Sequence, residues 1–364
     1  MSRYAAFDRS RRGHRFLSRH GKGFAYGPVM YYTGDLDTSG SSFHAANGIR
    51  AGMNRVIYRY QYSGASASGT DASVSPVSRN VIVCFYAREA RVHDRAGREL
   101  GRLTSTTVGD QCLFTSDDRA VIGSTGTSNT LRIYNNDLST LLATYNRGSS
   151  ISSPQRLRRG AVDLWYAGGV NGVTTDCLQR ITSGGSKVWG LTNEAVRSYF
   201  GGDTGQYNYG GSVMALDPSG NAYLNIWDYY NSPTYDGVTK VSSGGTIISS
   251  HLLPENLSIT DLCIASDGTV YIVGVDSDAG MRYIGKFTNS ISLITSNPFT
   301  TQYVYGVALD PNEDYLYCAT NQRTWRFDRD LNLDKMCHYA NYVYAANRLS
   351  FEHDWIVGDP TPHV

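Results

Sequence analysis

Three stretches of this chain repeat one plan at a spacing of forty-odd residues, and that repeat limits what the sequence can fold into more than any other feature. They are 212–224 (SVMALDPSGNAYL), 261–272 (DLCIASDGTVYI) and 305–318 (YGVALDPNEDYLYC). In each, an apolar run is followed by an Asp-centred turn and a second apolar run carrying Tyr, which is the pattern of a tight β-hairpin. Looser copies turn at Ser116-Asp117-Asp118, at Arg159-Gly160 and at Glu352-His353-Asp354. All but the last are followed by a second hairpin with another polar turn, as in 131–140, 179–189, 238–248 and 284–293. Each unit therefore holds four strands. With Ile82, Ile122, Leu164, Tyr223, Tyr271, Tyr317 and Ile356 taken as equivalent second-strand positions, the spacings are 40, 42, 59, 48, 46 and 39. That is the period of a propeller blade, so the expected fold is all-β, a single β-propeller.

Seven such positions favour seven blades, the last having only two strands of its own before the chain ends at Val364. The runs 29–33 (VMYYT) and 54–62 (NRVIYRYQY) are candidate strands to complete it and close the ring, because an open ring exposes sheet edges. The alternative is six blades, with 348–359 sharing a blade with 80–105 and the 29–62 region left as an appendage. The division expected is a basic N-terminal arm, 1–28, and a propeller, 29–364, whose repeats run over 80–359. Composition agrees: 18% charged residues with 38 glycines and 27 tyrosines suits short strands and many turns. With 41% hydrophobic residues and no apolar run near the length of a membrane helix, a soluble core is expected.

The turns 183–189 (SGGSKVW) and 242–247 (SSGGTI), with the Asp-Pro-Ser-Gly-Asn turn at 217–221, resemble blades of the broad NHL, YVTN and quinoprotein-like propeller class over residues 80–359. The resemblance implies the architecture and leaves the activity open, since such propellers serve as hydrolases, lyases, scaffolds and binding platforms. The WD dipeptide and Gly-His pairing of WD40 blades are absent at the expected positions.

Asp117, Asp217, Asp267 and Asp310 recur once per blade, and turn chemistry accounts for them: Asp bonds its own backbone two residues on. Glu352-His353-Asp354 reads as a polar turn, and His93, His251 and His338 lack metal-ligand spacing. No G-x-S-x-G, H-E-x-x-H or phosphate-loop motif occurs. Cofactors and metals are expected to be none, and the function non-enzymatic. The six cysteines at 84, 112, 177, 263, 318 and 337 form no C-x-x-C pair and read as reduced core residues, which fits folding in a cytoplasm.

Two segments point to partners. Arg3, Arg9, Arg11, Arg12, Arg15, Arg19 and Lys22 face Asp8 alone in the first 22 residues, giving +6 there and −5 over the rest of a chain whose total is +1. Such an arm attracts an acidic protein face, an anionic surface or nucleic acid. It lacks the continuous apolar stretch of a secretory signal. The second feature is aromatic: 193–210 and 226–237 carry Tyr199, Phe200, Tyr207, Tyr209, Trp227, Tyr229, Tyr230 and Tyr235 among Gly, Asn and Asp, a mixture suited to recognition. The expected function is a structural or docking propeller of a virion, such as a phage tail or head accessory protein. It would assemble through the arm with other structural proteins and with itself, after synthesis in the host cytoplasm. The alternatives are a carbohydrate-binding propeller using the aromatic loops, and a calcium-dependent propeller hydrolase or lyase.

Overall fold

The computed structural model describes residues 29–38, 41–50, 55–63, 69–85, 89–94, 98–105, 108–124, 130–146, 151–170, 176–198, 213–227, 236–310, 312–320, 323–338, 343–344 and 349–351, and side chains only within 71–338. Between 69 and 338, six antiparallel sheets each take four strands in chain order. We number them as blades: I, 69–104; II, 108–146; III, 151–192; IV, 214–252; V, 261–300; VI, 304–338. A seventh sheet joins Val29–Thr38, Ser41–Arg50 and Arg55–Ser63 to the C-terminal strands Val343–Tyr344 and Leu349–Phe351.

The first strand of each blade touches the first strand of the next, from Gly69–Val74 through Val108–Phe114, Ile151–Arg159, Met214–Leu216, Asp261–Ile264 and Val304–Leu309 to Leu349–Phe351, which touches Gly69–Val74 again. The ring is thereby closed, and the protein is a seven-bladed propeller. Closure differs in detail from the sequence expectation. Both C-terminal strands pair with the same edge of Val29–Thr38, Leu349–Phe351 against Met30–Tyr32 and Val343–Tyr344 against Asp35–Leu36, so together they fill one strand position. The N-terminal region supplies the other three, including Ser41–Arg50 (SSFHAANGIR), which carries few of the residues that mark a strand. Blade I also begins earlier than residue 80, in the polar strand Gly69–Val74.

The core lies between blades. Ile82, Cys84, Ala90 and Val92 of blade I meet Cys112, Phe114 and Ile122 of blade II, and like clusters join each pair through to blades V and VI. The hydrogen bonds that open the first turns, such as Thr115 N–H to Arg119 O and Gly160 N–H to Asp163 O, align Ile82, Val121, Trp165, Tyr223, Tyr271 and Tyr317. Ile122 and Leu164, placed in that series by sequence spacing, are one residue out of register. Because side chains alternate along a strand, they pack toward the preceding blade while Val121 and Trp165 pack toward the next. The cysteines at 84, 112, 177, 263 and 318 are free, and all but Cys263 are fully buried.

The second hairpins lock the blades together. Five turn through a left-handed residue at the same place: Leu138, Gly185, Gly245, Ile291 and Leu331, with φ between 62° and 87°. Leu138, Ile291 and Leu331 use this otherwise costly conformation to drive a side chain into the gap against the preceding blade, where each is at most 6% exposed. At Gly245 the gap is already filled by Trp189 of blade III, whose Cδ2 lies 2.9 Å from where a Cβ would stand. No helix among the described residues is long and apolar enough to cross a membrane.

Candidate functional site

The up-and-down course of the strands sorts every connection onto one of two faces. Links between strands one and two, and between three and four, fall on one face, here the turn face. Links between strands two and three, and between blades, fall on the other, the loop face.

The turn face is built of short polar hairpins whose carboxylates are occupied. Asp217 accepts from the N–H and side-chain amide of Asn221 at 2.8 Å, Asp267 from Thr269 N–H at 2.9 Å, and Asp310 from Asp314 and Tyr315 N–H at 2.8 and 3.1 Å. Asp117 and Asp118 also reach neighbouring blades: Asp117 accepts from Ser183 Oγ of blade III at 3.2 Å, and Asp118 from Ser75 and Ser78 beside blade I. A shallow cleft between blades III and IV is lined by Asp163, Trp165, Arg180 and Ser243, among others. Its cation is committed, since Arg180 donates to Asp163 and, at 2.6 Å, to the Ser243 carbonyl. Among the described residues no group of three or more His, Cys, Asp or Glu is placed to hold a metal ion.

The expected loops 193–210 and 226–237 fall only in part on described residues: Asn193–Arg197 is a short helix after the last strand of blade III, while 226–227 end the second strand and 236–237 begin the third strand of blade IV. Residues 199–212 lead from blade III into its first strand, and 228–235 join its second strand, Ala222–Trp227, to its third, Asp236–Val241. Tyr199, Tyr207, Tyr209, Tyr229, Tyr230 and Tyr235 lie outside the described residues; Trp227 is placed by its backbone alone, at the end of the second strand. Arg3, Arg9, Arg11, Arg12, Arg15, Arg19 and Lys22 of the arm likewise lie outside the described residues. At the mouth of 228–235, Asp236 is 7% exposed and accepts the Ile259 N–H at 2.6 Å. Burial pushes its carboxyl up to about 6, against the pull of that hydrogen bond.

The axis holds a third arrangement that sequence reasoning missed. Side chains on the first strands latch successive blades: Asp71 accepts Cys112 N–H at 3.0 Å, Gln111 accepts Leu157 N–H at 3.3 Å and Asp261 accepts Val307 N–H at 3.1 Å. These residues are equivalent, each four positions before the residue that opens its first turn. In blade III the equivalent residue is Arg156, and the strand Ile151–Arg159 adds Arg158 and Arg159. Arg159 donates to Val74 O of blade I at 3.0 Å and Phe114 O of blade II at 3.2 Å. Arg156 and Arg158 point the other way round the ring, their Nη2 atoms 3.8 and 3.9 Å from Asp261 Oδ1 of blade V. Through these side chains one strand thus reaches blades I, II and V, passing blade IV on its axial side. The signal was present as Gln155-Arg-Leu-Arg-Arg159, but only the strand's place at the ring centre gives it meaning.

No family model and no curated protein matches the sequence. Among solved structures, Sqt1 of Saccharomyces cerevisiae is similar at a TM-score of 0.57 and 10% identity, over 88% of this chain and 87% of that one. A protein of unknown function from Bacteroides caccae matches at a TM-score of 0.49 and 10% identity, over 89% of this chain and 98% of that one. At such identities the likeness to Sqt1 speaks for the propeller fold alone.

Proposed function

We propose that the chain is a non-enzymatic docking propeller that receives its partner on the loop face, at blade IV. The observation that carries this reading is that the described elements flanking the aromatic stretches, the helix Asn193–Arg197 and the strand ends at Trp227 and Asp236, lie opposite a turn face whose polar groups are spent on the ring itself. Aromatic side chains with Gly, Asn and Asp around them supply contact area at small entropic cost. The partners we propose are further structural proteins of one assembly and a second copy of this chain, with the basic arm as a second, electrostatic tether. Within that class we place the protein in a virion. Mass photometry of the full chain, alone and with Tyr229→Ser and Tyr230→Ser together, tests the docking face. Self-association in the wild type and its loss in the double variant are expected; a monomer at every concentration, with no co-purifying structural protein, contradicts the reading. A glycan array scored on the same pair of proteins separates the carbohydrate-binding alternative, which requires sugar binding that disappears in the double variant.

A further inference from the structure

We propose that the axis of the ring binds inorganic hydrogen phosphate against Arg156 and Arg158 of blade III and Asp261 of blade V, capping the three side chains from one side. The three side chains are 12%, 16% and 7% exposed, so they are largely withdrawn from water. Yet the two arginines stand 3.8 and 3.9 Å from Asp261 Oδ1, beyond the 2.7–2.9 Å of a charge-assisted hydrogen bond. Asp261 Oδ1 and Arg156 Nε are both buried without a hydrogen-bond partner. An unmet acceptor and an unmet donor this well buried each carry a desolvation cost unless something completes them.

The partner that completes them must accept from guanidinium groups and donate to a carboxylate. Hydrogen phosphate does both: its bare oxygens accept from Arg156 and Arg158, and its remaining P–OH donates to Asp261 Oδ1. Sulfate has the same shape and charge but no hydroxyl, so it leaves Asp261 unmet and sets its oxygens against a carboxylate. Arg158 also donates to the Leu157 carbonyl at 3.1 Å, and its Nη2 is the nitrogen turned toward Asp261. Arg159, from the same strand, is held by the carbonyls of Val74 and Phe114 and fixes the backbone that presents the other two.

Calorimetric titration of the full chain with inorganic phosphate at about pH 8, where phosphate has lost its second proton, tests this site, with sulfate at matched ionic strength as the comparison. Saturable one-site binding at or below about 1 mM is expected, with sulfate weaker by about tenfold or more. Arg156→Lys and Arg158→Lys keep the charge but lose the guanidinium fork, and each is expected to weaken phosphate binding about tenfold. Asp261→Asn is expected to bring sulfate and phosphate together. Thermal midpoints measured without phosphate identify any variant whose ring is itself damaged. Absence of saturable binding in the wild type, equal binding of sulfate and phosphate, or lysine variants that bind like the wild type would overturn the proposal.

Discussion

The two faces of this propeller are built from the same strands and differ in what joins them. On the turn face, three- to six-residue hairpins repeat from blade to blade, all but the one at 160–162 with a left-handed residue or an Asp cap, and several of their side chains bind neighbouring blades. On the loop face the joins differ in length from blade to blade, from two residues at 321–322 to the stretch 193–213 between blades III and IV. Burial separates their carboxylates. Asp137, in an exposed turn, is held below the usual carboxylate range by the Ser139 N–H and hydroxyl. Asp310, buried on the same face, is pushed up by burial despite two N–H donors, and Asp236 on the loop face goes further with a single donor. The difference teaches that ring stability is concentrated where the chain repeats, which leaves the loop face free to vary.

Perturbing the turn face should therefore cost most. Leu331→Ala empties the plug between blades V and VI and is expected to lower stability by about 3 kcal/mol in urea unfolding. A loss below about 1 kcal/mol would mean that the left-handed hairpins do not hold the blades.

Asp236 gives the next largest effect, with pH as the handle. Its folded value near 6 lies above the ordinary unfolded value of about 3.9, so the folded chain holds this proton more tightly than the unfolded one. The stability it contributes is full below about pH 4 and is lost as pH rises through about 6, a change of about 2–3 kcal/mol. Asp236→Asn keeps an acceptor for the Ile259 N–H and should remove that loss, so that wild type and variant part company between about pH 4 and 7. Parallel stability curves across that window would show that burial does not govern this carboxyl.

Gly245→Ala is smaller. A methyl group at φ 87°, set 2.9 Å from the Trp189 ring, should cost about 1–2 kcal/mol. Tyr230→Ser, in the aromatic stretch 226–237, should change stability by less than about 0.5 kcal/mol while weakening partner binding. A large loss of stability there would erase the distinction between the faces.

How much of this was legible in the sequence follows the same divide. The hairpins at Asp217, Asp267 and Asp310 were readable because Asp, Gly and Pro fix turn geometry locally, and with them came the propeller; the seventh second-strand position, Ile356, lies outside the described residues, and Val29–Thr38 stands second in that blade. Where the turn departs from that chemistry, register failed: Arg159-Gly160 gives no Asp landmark, and Leu164 was aligned where Trp165 belongs. Ser41–Arg50 escaped notice because Ala, Asn and Gly are poor strand residues, and its pairing with Val29–Thr38 and Arg55–Ser63 is what makes it one. The cluster of Arg156, Arg158 and Asp261 joins residues about a hundred positions apart, and no local signal carries such a contact. The aromatic stretches were legible by composition, and their aromatic side chains lie outside the described residues.

Closure of the ring is the claim on which both faces depend, and a designed cross-link reads it directly. Tyr31 and Ser350 are partners in the register between Val29–Thr38 and Leu349–Phe351. The full chain with Tyr31→Cys and Ser350→Cys, oxidised gently and run on a non-reducing gel, should give an intramolecular disulfide with faster migration and a higher thermal midpoint. Free thiols at both positions after oxidation of the folded protein, with no shift in either readout, would contradict a seventh blade shared by the two ends of the chain.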